Sequence, residues 1–212
     1  MIKQIWFDFG NIFIPIFPQH TKEQLKSCGL KLSEETFNSL SQQFEKGELT
    51  ESEFFSSLVH NCTLLQATRR IKLAWNALLG ELNDNVLFLQ KLHHTYELCL
   101  VSNTNETHID AIRKASGPFL WNQFVNAFDA LFLSFEMGER KPDRSYFEYV
   151  LSHMNATPEE VLFIDDTAEN LETAAAMGLH TLQFNIHHEN LEAVLPSVLA
   201  KFDQTAASAL RV

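Results

Sequence analysis

Cysteine is scarce in this chain, and so are glycine, proline and positive charge. The three cysteines among 212 residues, Cys28, Cys62 and Cys99, are odd in number, widely spaced and set among apolar neighbours. They read as reduced packing residues and not as a disulfide framework or a zinc site, which fits a reducing cytosol. With only seven glycines and six prolines, no internal repeat, low-complexity tract or flexible linker stands out. Sixteen basic side chains against 27 acidic ones leave a net charge of −11. That balance repels nucleic acid and acidic membranes, so an anionic ligand must be held locally. No apolar run approaches the length of a membrane span, and no charged-then-apolar segment precedes the first strand. A cytoplasmic location is therefore expected.

What is present is a core-forming chain. Forty-five per cent hydrophobic residues over this length suit one domain, or one domain carrying an inserted subdomain. Two short apolar runs far apart both stop on aspartate: Ile5-Trp6-Phe7-Asp8, and Val161-Leu162-Phe163-Ile164-Asp165-Asp166. Such runs read as buried parallel strands. A carboxylate where a buried strand ends points into the crevice at the carboxyl edge of the sheet, where open α/β sheets bind ligands. Three carboxylates that close repel one another, and the arrangement is chemically sensible around a divalent cation.

Between these runs the pattern changes. From about Thr21 to Gly80 the signals are helical, with Ser33 and Thr50 as N-cap candidates. Thr50-Glu51-Ser52-Glu53 spells a capping box and Ser33-Glu34-Glu35-Thr36 does not. Apolar positions recur at helical steps through Phe37, Leu40 and Phe44, through Phe54 and Leu58, and through Ile71, Ala74, Trp75 and Leu78, which predicts a four-helix insertion. Phenylalanines there, such as Phe54 and Phe55, are core at this spacing, with some expected to line a substrate pocket. From Asn83 onward helix and strand alternate. Strands are predicted at Leu98–Val101, Leu131–Ser134, Val161–Ile164 and Thr181–Phe184. Helices are predicted through Val86 to Leu92, from about Glu106, over Asp143–Met154 with Asp143 as its cap, and over Ala168–Met177 closed by Gly178. This alternation implies a parallel sheet covered on both faces.

The polar residues at the strand ends carry the chemistry. Asp8 is followed at one remove by Gly10, whose missing side chain lets a ligand approach the main chain; with a metal screening the charges, an aspartate there can attack phosphorus. Ser102 opens the loop Ser102-Asn103-Thr104-Asn105 just before a helix, where a hydroxyl and free N–H groups form an anion site. Each of these residues alone is also an ordinary helix cap. Lys141 is held by Pro142 in an extended loop, placed to clamp phosphate as a point charge. Asp165-Asp166 offers the hard oxygens that magnesium prefers, and Asn170 lies one helical turn on.

In order and spacing these motifs resemble the haloacid dehalogenase (HAD)-like hydrolase superfamily: Phe7-Asp8-Phe9-Gly10-Asn11, Val101-Ser102-Asn103-Thr104-Asn105, Arg140-Lys141-Pro142, and Asp165-Asp166 with Asn170. The resemblance implies an α/β, Rossmann-like core of residues 1–15 and 81–212, and a small all-helical C1-type cap of residues 16–80. It implies Mg²⁺ held by Asp8, Asp165, Asp166 and the carbonyl of Gly10, with Asp165 direct or through water. It also implies a nucleophile in Asp8, catalytic support from Ser102 and Lys141, and phosphate contacts from Ser102, Asn103, Lys141 and Gly10. The expected partner is a small-molecule phosphate ester bound by a monomer or homodimer. Within the superfamily the chain looks most similar to bacterial phosphatases of α-D-glucose 1-phosphate, which share the Gly-Asn turn, Ser-Asn-Thr-Asn and Gly-x-Arg-Lys-Pro. One position departs: most such phosphatases carry a second aspartate two residues after the nucleophile, and here that position is Gly10. Its loss fits a good leaving group, such as an anomeric hydroxyl, or a metal- and phosphate-binding protein with little or no turnover. A dehalogenase leaves the acidic pair idle, and a receiver domain carries its acidic pair on the first strand with no cap.

Overall fold

The computed structural model describes residues 1–63, 68–83 and 85–209. Among them, five strands form one sheet in the order β3-β2-β1-β4-β5, parallel throughout. β1 is Gln4–Phe7 and lies at the centre, completely buried. The chain then leaves the sheet for α1 (Pro18–Ser27), α2 (Glu34–Glu45), α3 (Glu51–His60) and α4 (Thr68–Trp75). It returns through α5 (Asn85–His93), β2 (Glu97–Ser102), α6 (Glu106–Val125), β3 (Ala130–Leu133) and the single turn α7 (Ser134–Met137). It ends with α8 (Arg144–His153), β4 (Val161–Asp165), α9 (Ala168–Ala176), β5 (His180–Gln183) and α10 (Leu191–Ala209). No helix among the described residues is long and apolar enough to cross a membrane.

The alternation of side chains along a strand sorts the core into two layers. Ile5, Phe7, Leu98, Leu100, Leu162 and Ile164 pack on one face against α5, α6 and α10. Trp6, Cys99, Val101, Val161 and Phe163 pack on the other against α8 and α9. The inserted helices bury a third cluster of their own, built on Leu25, Phe44, Phe54, Phe55, Leu58, Ile71 and Trp75, with Phe44 and Phe54 stacked at 4.4 Å. Phe37, Phe44, Phe54 and Phe55 are thus spent on the interior of the insertion, Phe17 is exposed, and none of them lines the cavity described below. Two crossing segments join this unit to the sheet: Phe17 N–H donates to Leu78 O at 2.8 Å and Gly80 N–H to Pro15 O at 2.9 Å. A Cβ on Gly80 would sit 2.9 Å from the Pro15 carbonyl, so only glycine permits that close approach.

The helix-start chemistry reads through to structure. Ser33 accepts from Thr36 N–H, and Thr50 and Glu53 form the reciprocal capping box. Because Thr50 satisfies an otherwise orphaned N–H, Thr50→Ala is expected to lower stability by about 1 kcal/mol, read as a shifted urea midpoint with an unchanged slope. Two local expectations are corrected. Asp143 stands at the N-cap position of α8, but its side chain makes no capping hydrogen bond; its carboxylate pairs with Lys46 at 3.3 Å instead. Ser134 begins α7 and does not end β3, because its hydroxyl donates to Thr104 O at 3.0 Å and accepts from Thr104 N–H at 2.9 Å. The helix from Glu106 breaks at Gly117, whose φ of 74° only glycine takes readily, just before Pro118.

Candidate active site

Sheet register brings the acids together. Phe7 lies beside Leu100 on one side and Ile164 on the other, so the next residue of the central strand, Asp8, stands between the ends of β2 and β4. Its N–H donates to Ile164 O at 2.9 Å. Carboxylate oxygens of Asp8, Asp165 and Asp166 lie within 4.8 Å of one another. Lys141 is brought in by the loop after α7 and is only 1% exposed. Its Nζ donates to Asp8 Oδ1 at 2.8 Å and to Asp165 Oδ2 at 2.6 Å, and it lies 5.2 Å from the centroid of the Phe163 ring.

The electrostatics follow from burial. Loss of water raises the Asp8 carboxyl to about 7, the neighbouring Asp165 charge adds to the shift, and Lys141 opposes it. Burial alone would discharge Lys141, but Asp165 and Asp8 outweigh it and hold the ammonium above its ordinary range. One lysine thus faces two carboxylates, with Asp166 close by, and the cluster carries excess negative charge that a divalent cation would balance.

The supporting residues are almost all committed. Asp165 accepts from Thr167 N–H at 2.8 Å, Lys141 at 2.6 Å, and Asn170 Nδ2 at 3.1 Å on both oxygens, which uses about all of a carboxylate's four acceptor positions. Asp166 Oδ2 accepts from Asn11 Nδ2 at 2.7 Å, and Asn11 sits at a φ of 52°, a conformation asparagine tolerates. Asn103 grips the lysine's own main chain: Nδ2 donates to Lys141 O at 2.7 Å and Lys141 N–H donates to Oδ1 at 2.8 Å. That leaves one Nδ2 hydrogen and the backbone N–H of Asn103 to meet an anion. Ser102, 2% exposed, ends β2.

A cavity of about 320 Å³ opens over this cluster. Asp8, Gly10, Ser102, Asn103, Lys141 and Asp166 line its floor, so apart from the fully buried Asp165 the structure brings every sequence-predicted site residue to one space. Ile16, Trp75, Leu78 and Leu79 come down from the insertion, and His108 and Ile112 from α6. Glu45, the last residue of α2, also reaches the cavity and is bound by Arg140 at 3.1 Å. Burial lifts its carboxyl above the ordinary range and Arg140 opposes the shift. The next residue, Lys46, holds Asp143, so α2 grips both sides of Lys141-Pro142. Glu45, Trp75 and His108 escape sequence reading because their position depends on how the insertion docks. Asn11 and Asn103 carried a weak signal, as polar residues beside a strand end.

A family profile described as haloacid dehalogenase-like hydrolase matches residues 32–178. The chain is 28% identical over 192 residues to a D-ribitol-5-phosphate phosphatase of Bacteroides thetaiotaomicron, covering 86% of this chain and 92% of that one. A crystal structure of an HAD family enzyme from the same organism, in complex with magnesium and inorganic phosphate, superposes with a TM-score of 0.77 at 29% identity, covering 86% of this chain and 94% of that one. A structure described as a predicted HAD-like family hydrolase from Porphyromonas gingivalis gives a TM-score of 0.84 at 27% identity, covering 94% of this chain and 98% of that one.

Proposed function

The chain belongs to the haloacid dehalogenase-like hydrolase family, and from that premise we propose a magnesium-dependent phosphatase acting on small sugar or polyol phosphates, with residues 16–80 as the cap over a core of 1–15 and 81–212. The observation that carries this reading is the convergence of Asp8, Asp166, Ser102 and Lys141 on the floor of one cavity. The relative acting on ribitol 5-phosphate and the fold neighbour holding magnesium and phosphate support it.

The residues fit the metal. Asp8 and Asp166 bring carboxylate oxygens within 4.8 Å of each other, and the carbonyl of Gly10, a residue lining the same cavity, is assigned as a further ligand, whereas the saturated hydrogen bonding of Asp165 suits it to a place outside the ion's immediate shell, where it fixes Lys141. Bound magnesium supplies charge neutralisation for phosphate and nucleophile. Asp8 is assigned the attack on phosphorus: a bond from its carboxylate oxygen to phosphorus forms as the bond to the leaving oxygen breaks, and water then cleaves the aspartyl phosphate. Lys141 and the Ser102 hydroxyl hold the phosphoryl oxygens, with backbone N–H groups at the start of α6 beside them. Lys141 touches Asp8 and so also fixes the line of attack.

Nothing at residue 10 protonates the leaving oxygen. A Cβ there would lie 3.1 Å from Ile16 Cγ1 and 4.0 Å from Asp8 Oδ2, so a side chain fits if Ile16 gives slightly. Gly10→Asp is expected to raise kcat/KM on glucose 6-phosphate and ribitol 5-phosphate relative to p-nitrophenyl phosphate, by up to about 10²-fold; an unchanged ratio would show that proton donation is not limiting. The same deficit favours α-D-glucose 1-phosphate over glucose 6-phosphate in the unaltered protein. A phosphate-release assay with magnesium across these four esters tests the assignment. No metal-dependent release from any of them would leave the second reading that Gly10 motivates, a non-catalytic binding protein.

A further inference from the structure

Three buried side-chain atoms among the described residues lack a hydrogen-bond partner: Trp75 Nε1, Asn76 Oδ1 and His108 Nε2. Two of them belong to residues that line the cavity above Asp8. Trp75 closes α4 in the cap, His108 lies in the first turn of α6 in the core, and their rings stack at a centroid distance of 5.0 Å and 15° between planes.

The proton on His108 can be placed. Asn105 Oδ1 accepts the His108 backbone N–H at 3.0 Å as the helix cap, so its Nδ2 is the atom 3.0 Å from His108 Nδ1. An amide nitrogen can only donate there, which makes Nδ1 the acceptor and puts the ring hydrogen on Nε2. Burial pushes the imidazole down to about 4, against the opposing influence of the Trp75 carbonyl, and the ring is neutral at physiological pH. Two residues that line the cavity thus each carry a buried, uncharged N–H donor just beneath its surface, His108 Nε2–H and Trp75 Nε1–H, with apolar Leu78, Leu79 and Ile112 lining the same cavity. Buried donors without acceptors are costly in a folded chain, and they persist where a ligand supplies the missing oxygen. Neutral donors in apolar surroundings match a neutral acceptor better than a second phosphate or a carboxylate, which would bring an uncompensated charge.

Building on the phosphatase reading, we propose that His108 Nε2–H and Trp75 Nε1–H bind a hydroxyl oxygen on the organic part of the phosphate ester. They are specificity-determining residues that select polyhydroxylated phosphomonoesters over hydrocarbon phosphates of similar size. Neither touches the reacting phosphorus in this assignment.

The test is a ratio. With magnesium, kcat/KM is measured for D-ribitol 5-phosphate and for n-pentyl phosphate, which has the same carbon count and no hydroxyls, in the unaltered protein, His108→Phe, His108→Gln and Trp75→Phe. The unaltered protein is expected to prefer the polyol ester by about 10- to 100-fold, the yield of one or two neutral hydrogen bonds. His108→Phe and Trp75→Phe should each bring the ratio severalfold nearer to one, and His108→Gln should restore it, because its amide N–H reaches the place of Nε2. A purely structural role would lower both rates together, leave the ratio fixed and overturn the proposal. So would the absence of any preference in the unaltered protein, a measurement that holds even where a variant fails to fold. Failure of the underlying phosphatase reading is distinct: no magnesium-dependent release from p-nitrophenyl phosphate.

Discussion

Asp8→Asn is expected to cost the protein on the order of 10⁴- to 10⁶-fold in phosphatase turnover, the scale of losing a covalent nucleophile, while making the metal-free protein more stable at pH 8. The two effects have one origin. The Asp8 carboxyl is raised from 3.8 to about 7 by burial, with Asp165 adding and Lys141 opposing. A carboxyl whose folded pKa lies above its unfolded one contributes stability that is fully present below about pH 4 and is lost as pH rises through about 7. Above that pH the folded state keeps an ionised carboxylate in a dry site, and asparagine does not. The stability difference between Asp8→Asn and the unaltered protein should therefore grow from pH 5 to pH 8. Magnesium should reverse the ranking by stabilising only the protein that can bind it, and more at pH 8 than at pH 5, since ligands must first be deprotonated. Melting temperatures with magnesium and with chelator at both pH values check this; a difference that is the same at both would count against it.

Lys141→Met carries the second large effect, on the fold itself. Lys141 is the cation paired with both Asp8 and Asp165 and is 1% exposed. Removing one partner of a buried pair leaves unpaired charge and typically costs about 3–5 kcal/mol, a large part of the margin of an ordinary domain. The metal-free variant should unfold at much lower urea, and recover partly at pH 5 as Asp8 protonates. Lys141→Met combined with Asp165→Asn removes both charges; it should regain most of the stability and none of the activity. If the single and double variants unfold at the same urea concentration, the lost pairing is not the cause. Lys141→Arg is no rescue, because a planar guanidinium does not fit the point-charge geometry between two carboxylates.

Much of this was legible in the sequence because buried parallel strands write themselves as apolar runs. Ile5–Phe7 and Val161–Ile164 announce their strands, and the residue after each run is placed by topology alone, which is why Asp8, Asp165 and Asp166 could be grouped across more than 150 positions. The Thr50 capping box was equally plain, since both halves are local. Ser134 and the side-chain role of Asp143 were misread for the opposite reason: a distant backbone at Thr104 and a distant ammonium on Lys46 outbid the local roles. Asn103 was placed in the right loop, but nothing local signals that its side chain grips the main chain of Lys141. His108, Trp75 and Glu45 were invisible because nothing local distinguishes a helix residue that faces a neighbouring subdomain from one that faces its own core.

The grip of α2 on the loop of Lys141 has a mechanical consequence. Glu45 and Lys46 are successive residues, and they buckle onto Arg140 and Asp143 on either flank of the lysine. Any displacement of the end of α2 from this loop must break both pairs at once. Salt in the medium, which weakens partly exposed ion pairs, thereby acquires leverage on the seating of an ammonium group that is itself only 1% exposed.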